Sequence, residues 1–266
     1  MTSPLVSIRN LSVSYERNAT SLSLGNIDLE IATGERLAII GESGSGKSTL
    51  ALAIAGLLPP TAAVKGTILW SGQPQPPRGG HDIGFVFQDA SASLDPVMAV
   101  GRQIAEVART HLDLSRAQAQ GRALDLLRRV RLPDPDTALH AYPHQLSGGQ
   151  RQRVAIAAAI AAGPRLLIAD EATSALDTIV QADIVALIRQ LVVEDGMALL
   201  FVSHDIALAA ELADRIAVFR NGEMVELGVA DAVIQNPRHA YTRKLLDAHI
   251  GLDAAPMIVP TERGHV

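Results

Sequence analysis

The sequence has no cysteine, a single tryptophan and few aromatic residues, which make up 3% of its 266 positions. Without a thiol there is no disulfide, no thiolate metal site and no cysteine nucleophile, a usage compatible with the cytosol. With so few rings, a core has to be built from Ala, Leu, Ile and Val, which suits helices packed on a parallel sheet. Long apolar runs are also missing. None reaches the roughly 18 residues of a membrane-spanning helix, and the longest, Val154 to Ala162, is about half that. The opening Met1-Thr2-Ser3-Pro4 lacks a basic region followed by an apolar stretch, so no secretory signal is expected. Concentrated positive charge is absent too. A formal net charge of −5 and no basic patch argue against nucleic acid as a partner.

What is present describes a globular α/β protein: 48% hydrophobic residues, 19% charged residues, and a chain long enough for one large domain or a core with a subdomain. Leu5 to Tyr15 and Asn26 to Ile31 are rich in β-formers, and with Gly66 to Trp70 they predict an antiparallel β-layer leading into a core. Arg36 to Ile40 predicts a buried strand, followed after a Gly-rich turn by a helix through Leu50–Ala55. Ile83 to Phe87 predicts a strand that ends at Gln88. From about Val97 to Val130 the periodicity turns helical, and Pro133, Pro135 and Pro143 then break the chain. Strands at 166–169 and 197–202 alternate with helices at 178–194 and 206–213. Asn221-Gly222 marks a hairpin turn, 229–250 reads as two short helices, and 251–266 reads as a loose C-terminal tail.

Three constellations carry chemistry. Gly41-Glu42-Ser43-Gly44-Ser45-Gly46-Lys47-Ser48-Thr49 fits G-x-x-x-x-G-K-[ST] between a strand and a helix. Glycines let backbone N–H groups close around phosphate oxygens, and the helix N-terminus adds a favourable dipole. Lys47 is of a length to reach the β- and γ-phosphates, and the Ser48 hydroxyl is a ligand type suited to Mg²⁺. Asp170-Glu171, at the end of an apolar strand, can hold that ion and orient an attacking water. Leu146-Ser147-Gly148-Gly149-Gln150, at the start of an apolar helix, is a second N-terminal anion cradle.

The Leu-Ser-Gly-Gly-Gln segment followed by Arg151-Gln152-Arg153, placed after the phosphate loop and before Asp170-Glu171, resembles the signature of ATP-binding cassette (ABC) ATPases. The resemblance covers about residues 4 to 250. It implies a RecA-like P-loop core with an antiparallel β subdomain and a helical subdomain inserted at about 91–160, all in one domain. It also implies ATP and Mg²⁺ as the bound species. By position in the motif order, Tyr15 corresponds to the residue that stacks on adenine, and Gln88 to the Mg²⁺-sensing residue that contacts a transporter partner. Ser174-Ala175-Leu176-Asp177 corresponds to a segment touching a second ATPase, with Asp177 at the nucleotide interface, and His204 to the histidine on the γ-phosphate. Ser48, Gln88 and Asp170 would serve the metal; Lys47, Glu171 and His204 would be catalytic, with Glu171 polarising water.

Two further segments, Phe87 to Pro96 and Asn236 to Leu246, resemble the peptide/nickel (oligopeptide permease) importer ATPases. The chain departs from some of these in lacking a C-terminal cysteine cluster, in a shorter Gln73–Gly80 segment, and in having Ala172 where many have proline. The implied partners are integral membrane permease subunits, a second ATPase subunit and, indirectly, a solute-binding protein. The implied location is the cytoplasmic face of the cell membrane. A non-transport ABC ATPase of the translation or DNA-repair type is the alternative, although such proteins typically carry two cassettes or a long coiled coil, and this chain has no sustained heptads.

Overall fold

Two sheets organise the chain in a computed structural model that describes residues 4–15, 22–173 and 176–253. In order, the elements are β1 (Val6–Ser14), β2 (Leu24–Ile31), β3 (Arg36–Ile40), α1 (Lys47–Ala55), β4 (Ala63–Trp70), β5 (Ile83–Val86), α2 (Ala90–Ser93), α3 (Val100–His111), α4 (Arg116–Arg129), α5 (Pro135–Ala138) and α6 (Gly148–Ala159). There follow β6 (Leu166–Asp170), α7 (Thr178–Asp195), β7 (Ala198–Ser203), α8 (Ile206–Leu212), β8 (Arg215–Arg220), β9 (Glu223–Val229), α9 (Ala230–Gln235) and α10 (Ala240–Asp253). The smaller sheet is antiparallel, in the order β2-β1-β4, and the larger has the order β5-β6-β7-β3-β8-β9. All pairs in the larger sheet are parallel except β8–β9. That hairpin turns at Asn221-Gly222, with positive φ at both residues, as a two-residue hairpin turn requires.

The apolar strands need no polar face because the sheet is covered on both sides. β6 and β7 are buried along their whole lengths. Their side chains sort by the two-residue period of a strand. Ala38 and Ile40 of β3, Leu167 and Ala169 of β6, and Leu199 and Phe201 of β7 join the core shared with the helices from α3 to α8. Leu37, Ile39, Leu166, Ile168, Ala198, Leu200 and Val202 point the other way, into a core made with α1 and the antiparallel sheet.

Among the described residues the chain from Ala90 to Ala159 contains helices and no strand. The helical stretch expected over about 97–130 consists of two helices. α3 ends at His111, and α4 is capped by Ser115, whose hydroxyl accepts the Gln118 N–H while the Gln118 side chain accepts the Ser115 N–H. This reciprocal cap is visible in the sequence as Ser-x-x-Gln. α10 runs to Asp253, three residues past the boundary drawn from composition, and residues 254–266 of the expected tail lie outside the described residues. No described helix is long and apolar enough to cross a membrane.

Gly84 decides how closely α6 lies on the sheet. A Cβ at this position of β5 would sit 2.3 Å from the Ala159 carbonyl oxygen at the end of α6. Gly84→Ala is therefore expected to overpack the contact and cost about 1–3 kcal/mol of folding stability. A denaturant midpoint unchanged from the parent would refute this.

Candidate phosphate and metal site

The Gly-rich loop leaves the C-terminal end of β3, which lies between β7 and β8 inside the sheet. It is wedged against its surroundings. A Cβ on Gly41 (φ 153) would lie 2.2 Å from the Phe219 carbonyl oxygen, and one on Gly46 (φ 99) 2.6 Å from that of Ser23. Only glycine fits either backbone or either space. The Ser45 carbonyl accepts the Gly222 N–H at 3.0 Å, and the Gly222 carbonyl accepts the Gly25 N–H at 2.9 Å, so the loop, the β8–β9 turn and β2 are tied together. Gly46 caps α1 without any side-chain hydrogen bond. The first-turn N–H groups therefore have no partner within the helix and face the loop's hollow at the positive end of the dipole. Ser43 and Gly44 are exposed in the loop, Ser45 is buried, and Thr49 is buried within the first turn of α1.

Lys47 fills the hollow. Its side chain is 3% exposed, and its Nζ donates to the carbonyls of Gly41 (2.8 Å) and Glu42 (2.9 Å) and stands 3.7 Å from a Glu171 carboxylate oxygen. Burial lowers its pKa, with the Glu171 and Asp170 carboxylates opposing the shift. The Ser48 hydroxyl donates to Asp170 Oδ1 at 2.9 Å. Asp170 is buried, and burial raises its pKa; the Ser48 bond and Lys47 work against this, while Glu171 adds to it. Glu171 holds a left-handed backbone (φ 46), a conformation that costs a non-glycine residue on the order of 1 kcal/mol or more. Its N–H bonds the Val202 carbonyl at 2.9 Å, and its second carboxylate oxygen accepts from the Gln88 side chain at 3.2 Å.

A hydroxyl, a carboxylate and a nearby carboxamide make an oxygen donor set that suits a hard divalent cation. No described group of three or more His, Cys, Asp or Glu residues is placed to enclose a metal by itself. At the same sheet edge, His204 follows the last residue of β7 and is exposed, while Asp205 caps α8. Tyr15 is 39% exposed and donates to the Thr49 hydroxyl at 3.2 Å, which places it beside the first turn of α1.

The remaining predicted residues form a second group. Ser147 caps α6 by a reciprocal pair: its hydroxyl accepts the Gln150 N–H at 3.2 Å and the Gln150 side chain accepts the Ser147 N–H at 2.8 Å. Ser147 and Gly148 are exposed, and Gly149 lies so close to Val180 that a Cβ would approach its side chain to 2.8 Å. Val180 belongs to the first turn of α7, which Asp177 caps by accepting the Val180 N–H at 3.0 Å. Lys47 and Ser48 thus bond within the loop and to β6, whereas Ser147 to Gln150 bond to one another and rest on α7. Ser174 and Ala175 lie outside the described residues. A contact that the sequence reading did not anticipate is the Glu42 N–H donating to the Tyr241 hydroxyl at 3.2 Å, across 199 positions. No local pattern encodes a pairing at that separation.

Known proteins resemble this chain over much of its length. The family described as ABC transporter matches residues 24–174, more than half of the chain. The chain is 45% identical over 258 residues to the peptidoglycan transport ATP-binding protein YejF of Agrobacterium fabrum, covering 93% of this chain and 47% of that protein. It is 41% identical over 253 residues to the oligopeptide transport ATP-binding protein OppD of Bacillus subtilis, covering 91% and 71%. The chain thus spans about half the length of the first relative and most of the second. Among solved structures, it resembles the dimeric post-hydrolysis state of the ATP-binding cassette MJ0796 bound to ADP and Pi, with a TM-score of 0.74, 31% identity and coverage of 85% of this chain and 98% of that one. A phosphate loop that cradles a buried lysine, a serine–aspartate pair beside it and a matching family profile lead to one conclusion: the chain belongs to the ABC transporter family.

Proposed function

We propose that this chain is the ATP-hydrolysing subunit of an importer, a single cassette over about residues 4–250 that works as a dimer on the cytoplasmic face of a membrane. The observation that carries the reading is the joined set Lys47, Ser48, Asp170, Glu171 and Gln88. Here a phosphate-binding cation, an oxygen donor pair for a metal and a carboxylate beside them are assembled in one chain.

Each side chain then has a task. Lys47 offers its ammonium to the β- and γ-phosphates from a position where loop carbonyls hold it extended. Ser48 and Asp170 hold Mg²⁺, which when bound neutralises phosphate charge, and Gln88 lies alongside. Glu171 orients and polarises the attacking water. His204 reaches the γ-phosphate, and Tyr15 offers its ring to adenine. Ser147, Gly148, Gly149, Gln150 and Asp177, grouped apart from the loop, close over the nucleotide held by a second ATPase subunit. Ligand-driven closure and hydrolysis-driven release of such a pair form a two-state device able to drive separate permease subunits.

Two features support the assignment of a permease and of cargo. An apolar cleft of about 250 Å³ is lined by Leu57, Phe85, Phe87, Leu94 and Val107. An occupant seated there would touch Phe87, one residue before the Gln88 that bonds Glu171. The likeness to the oligopeptide transport relative supports peptide-type cargo, delivered to the permease by a solute-binding protein.

Glu171→Gln is expected to bind MgATP but hydrolyse it at least about 100-fold more slowly, and to accumulate as an ATP-dependent dimer on size-exclusion chromatography. Near-normal turnover would remove Glu171 from its role. Ser147→Arg should abolish that dimer while leaving MgATP binding to the isolated chain intact; an unaffected dimer would sink the composite site. Asp170 supplies a third test. Its folded carboxyl binds a proton at higher pH than the unfolded one does, so its charge lowers stability as pH rises through the folded pKa, and the penalty persists at neutrality. Asp170→Asn should therefore melt at a higher temperature than the parent at pH 7 without nucleotide, and should gain less from added MgATP. A lower melting temperature would contradict this account of the buried charge.

A further inference from the structure

We infer that Tyr241, in the last described helix, is a positioning residue that sets the phosphate loop for nucleotide; the inference rests on reading that loop as the MgATP cradle. The physical core is one peptide plane. The Gly41 carbonyl and the Glu42 N–H belong to the same peptide unit, which is planar, with the two groups pointing in opposite directions. The carbonyl accepts from Lys47 Nζ at 2.8 Å, and the N–H donates to the Tyr241 hydroxyl at 3.2 Å. Fixing one end of the plane aims the other at the ammonium. Gly41, at φ 153, offers little resistance of its own to rotation of that plane. The orientation therefore depends on what holds the N–H.

Tyr241 is itself held from several sides. Its ring is buried, and the Arg220 guanidinium lies over it at 4.9 Å from the centroid, a cation–π contact. Arg220 ends β8 just before the Asn221-Gly222 turn, the same turn whose Gly222 N–H bonds the Ser45 carbonyl of the loop. The start of α10 is seated by Glu226 of β9, whose two carboxylate oxygens accept the Arg238 N–H (2.8 Å) and the His239 N–H (3.0 Å). His239 Nδ1 accepts the Tyr241 N–H at 3.1 Å, and the Arg243 side chain donates back to the Pro237 carbonyl at 3.1 Å. Leu245 and Leu246 anchor the following turn in the helical core. The segment from Asn236 to Leu246 thus delivers one hydroxyl to one amide of the loop. Burial raises the tyrosine pKa, which keeps the hydroxyl neutral near neutrality.

Tyr241→Phe in the full chain tests this, because the substitution keeps the ring and removes the hydroxyl. Two readouts are measured: amide hydrogen exchange of peptides covering 41–46 without nucleotide, and affinity for a fluorescent ATP analogue with Mg²⁺. Exchange at Glu42 is expected to quicken severalfold and affinity to fall about 3- to 10-fold, with a melting temperature within about 4 °C of the parent. Glu226→Ala, which leaves the hydroxyl in place but releases the seat of α10, should move both readouts the same way by less. Unchanged exchange and unchanged affinity in Tyr241→Phe would overturn the inference. A parent chain that fails to bind MgATP would overturn the functional reading instead, and the exchange measurement, made without nucleotide, would still decide the role of Tyr241.

Discussion

The structure around the site depends on keeping the Lys47 ammonium charged inside the protein. A buried, uncompensated cation is costly, and oxygen atoms that converge on it offset part of that cost, burial still lowering its pKa. They come from two directions: the Gly41 and Glu42 carbonyls from the loop itself, and the Asp170 and Glu171 carboxylates from the end of β6. The loop backbone must therefore curl as only glycine allows at positions 41 and 46. β6 must end level with β3, although β7 lies between them. The left-handed backbone of Glu171 turns its carboxylate toward the lysine, and its N–H bond to Val202 steadies the turn across β7.

The two-sided core makes that alignment rigid. Because the strands next to the site divide their side chains between two apolar layers, a slip of one residue in any of them would exchange both layers at once. Register at the C-terminal ends of β3, β6 and β7 is thus fixed by packing far from the site. The pairing of Ile40 with Ser203 and of Asp170 with Val202 follows, and with it the separation between loop, carboxylates and His204.

The second group of residues obeys a different constraint. Ser147 and Gln150 satisfy each other's backbone, and Gly149 is pressed onto α7, so the signature is a stiff, exposed helix start. In the dimer proposed above, this cradle and the phosphate loop would be the two halves of one site.

Much of this was legible in the residues. The phosphate loop, the strand-end carboxylates, the Leu-Ser-Gly-Gly-Gln helix start and the Asn-Gly hairpin are short-range patterns, and each encodes its own backbone conformation through glycine, a cap or a turn. The alternation of strands and helices also read through, because the periods of 2 and 3.6 are local. Other features depended on distant parts of the chain. The break between α3 and α4 was lost beneath a continuous helical periodicity, although the Ser115–Gln118 cap marks it. The Asp170–Ser48 pair, the Glu171 carboxylate beside Lys47 and the Tyr241 hydroxyl that accepts the Glu42 N–H are contacts between segments far apart in sequence. Residue chemistry alone marks the groups suited to phosphate and a divalent cation. Only the packing of the sheet decided which of them meet, because the register of buried strands, and not any local preference, sets where their ends lie.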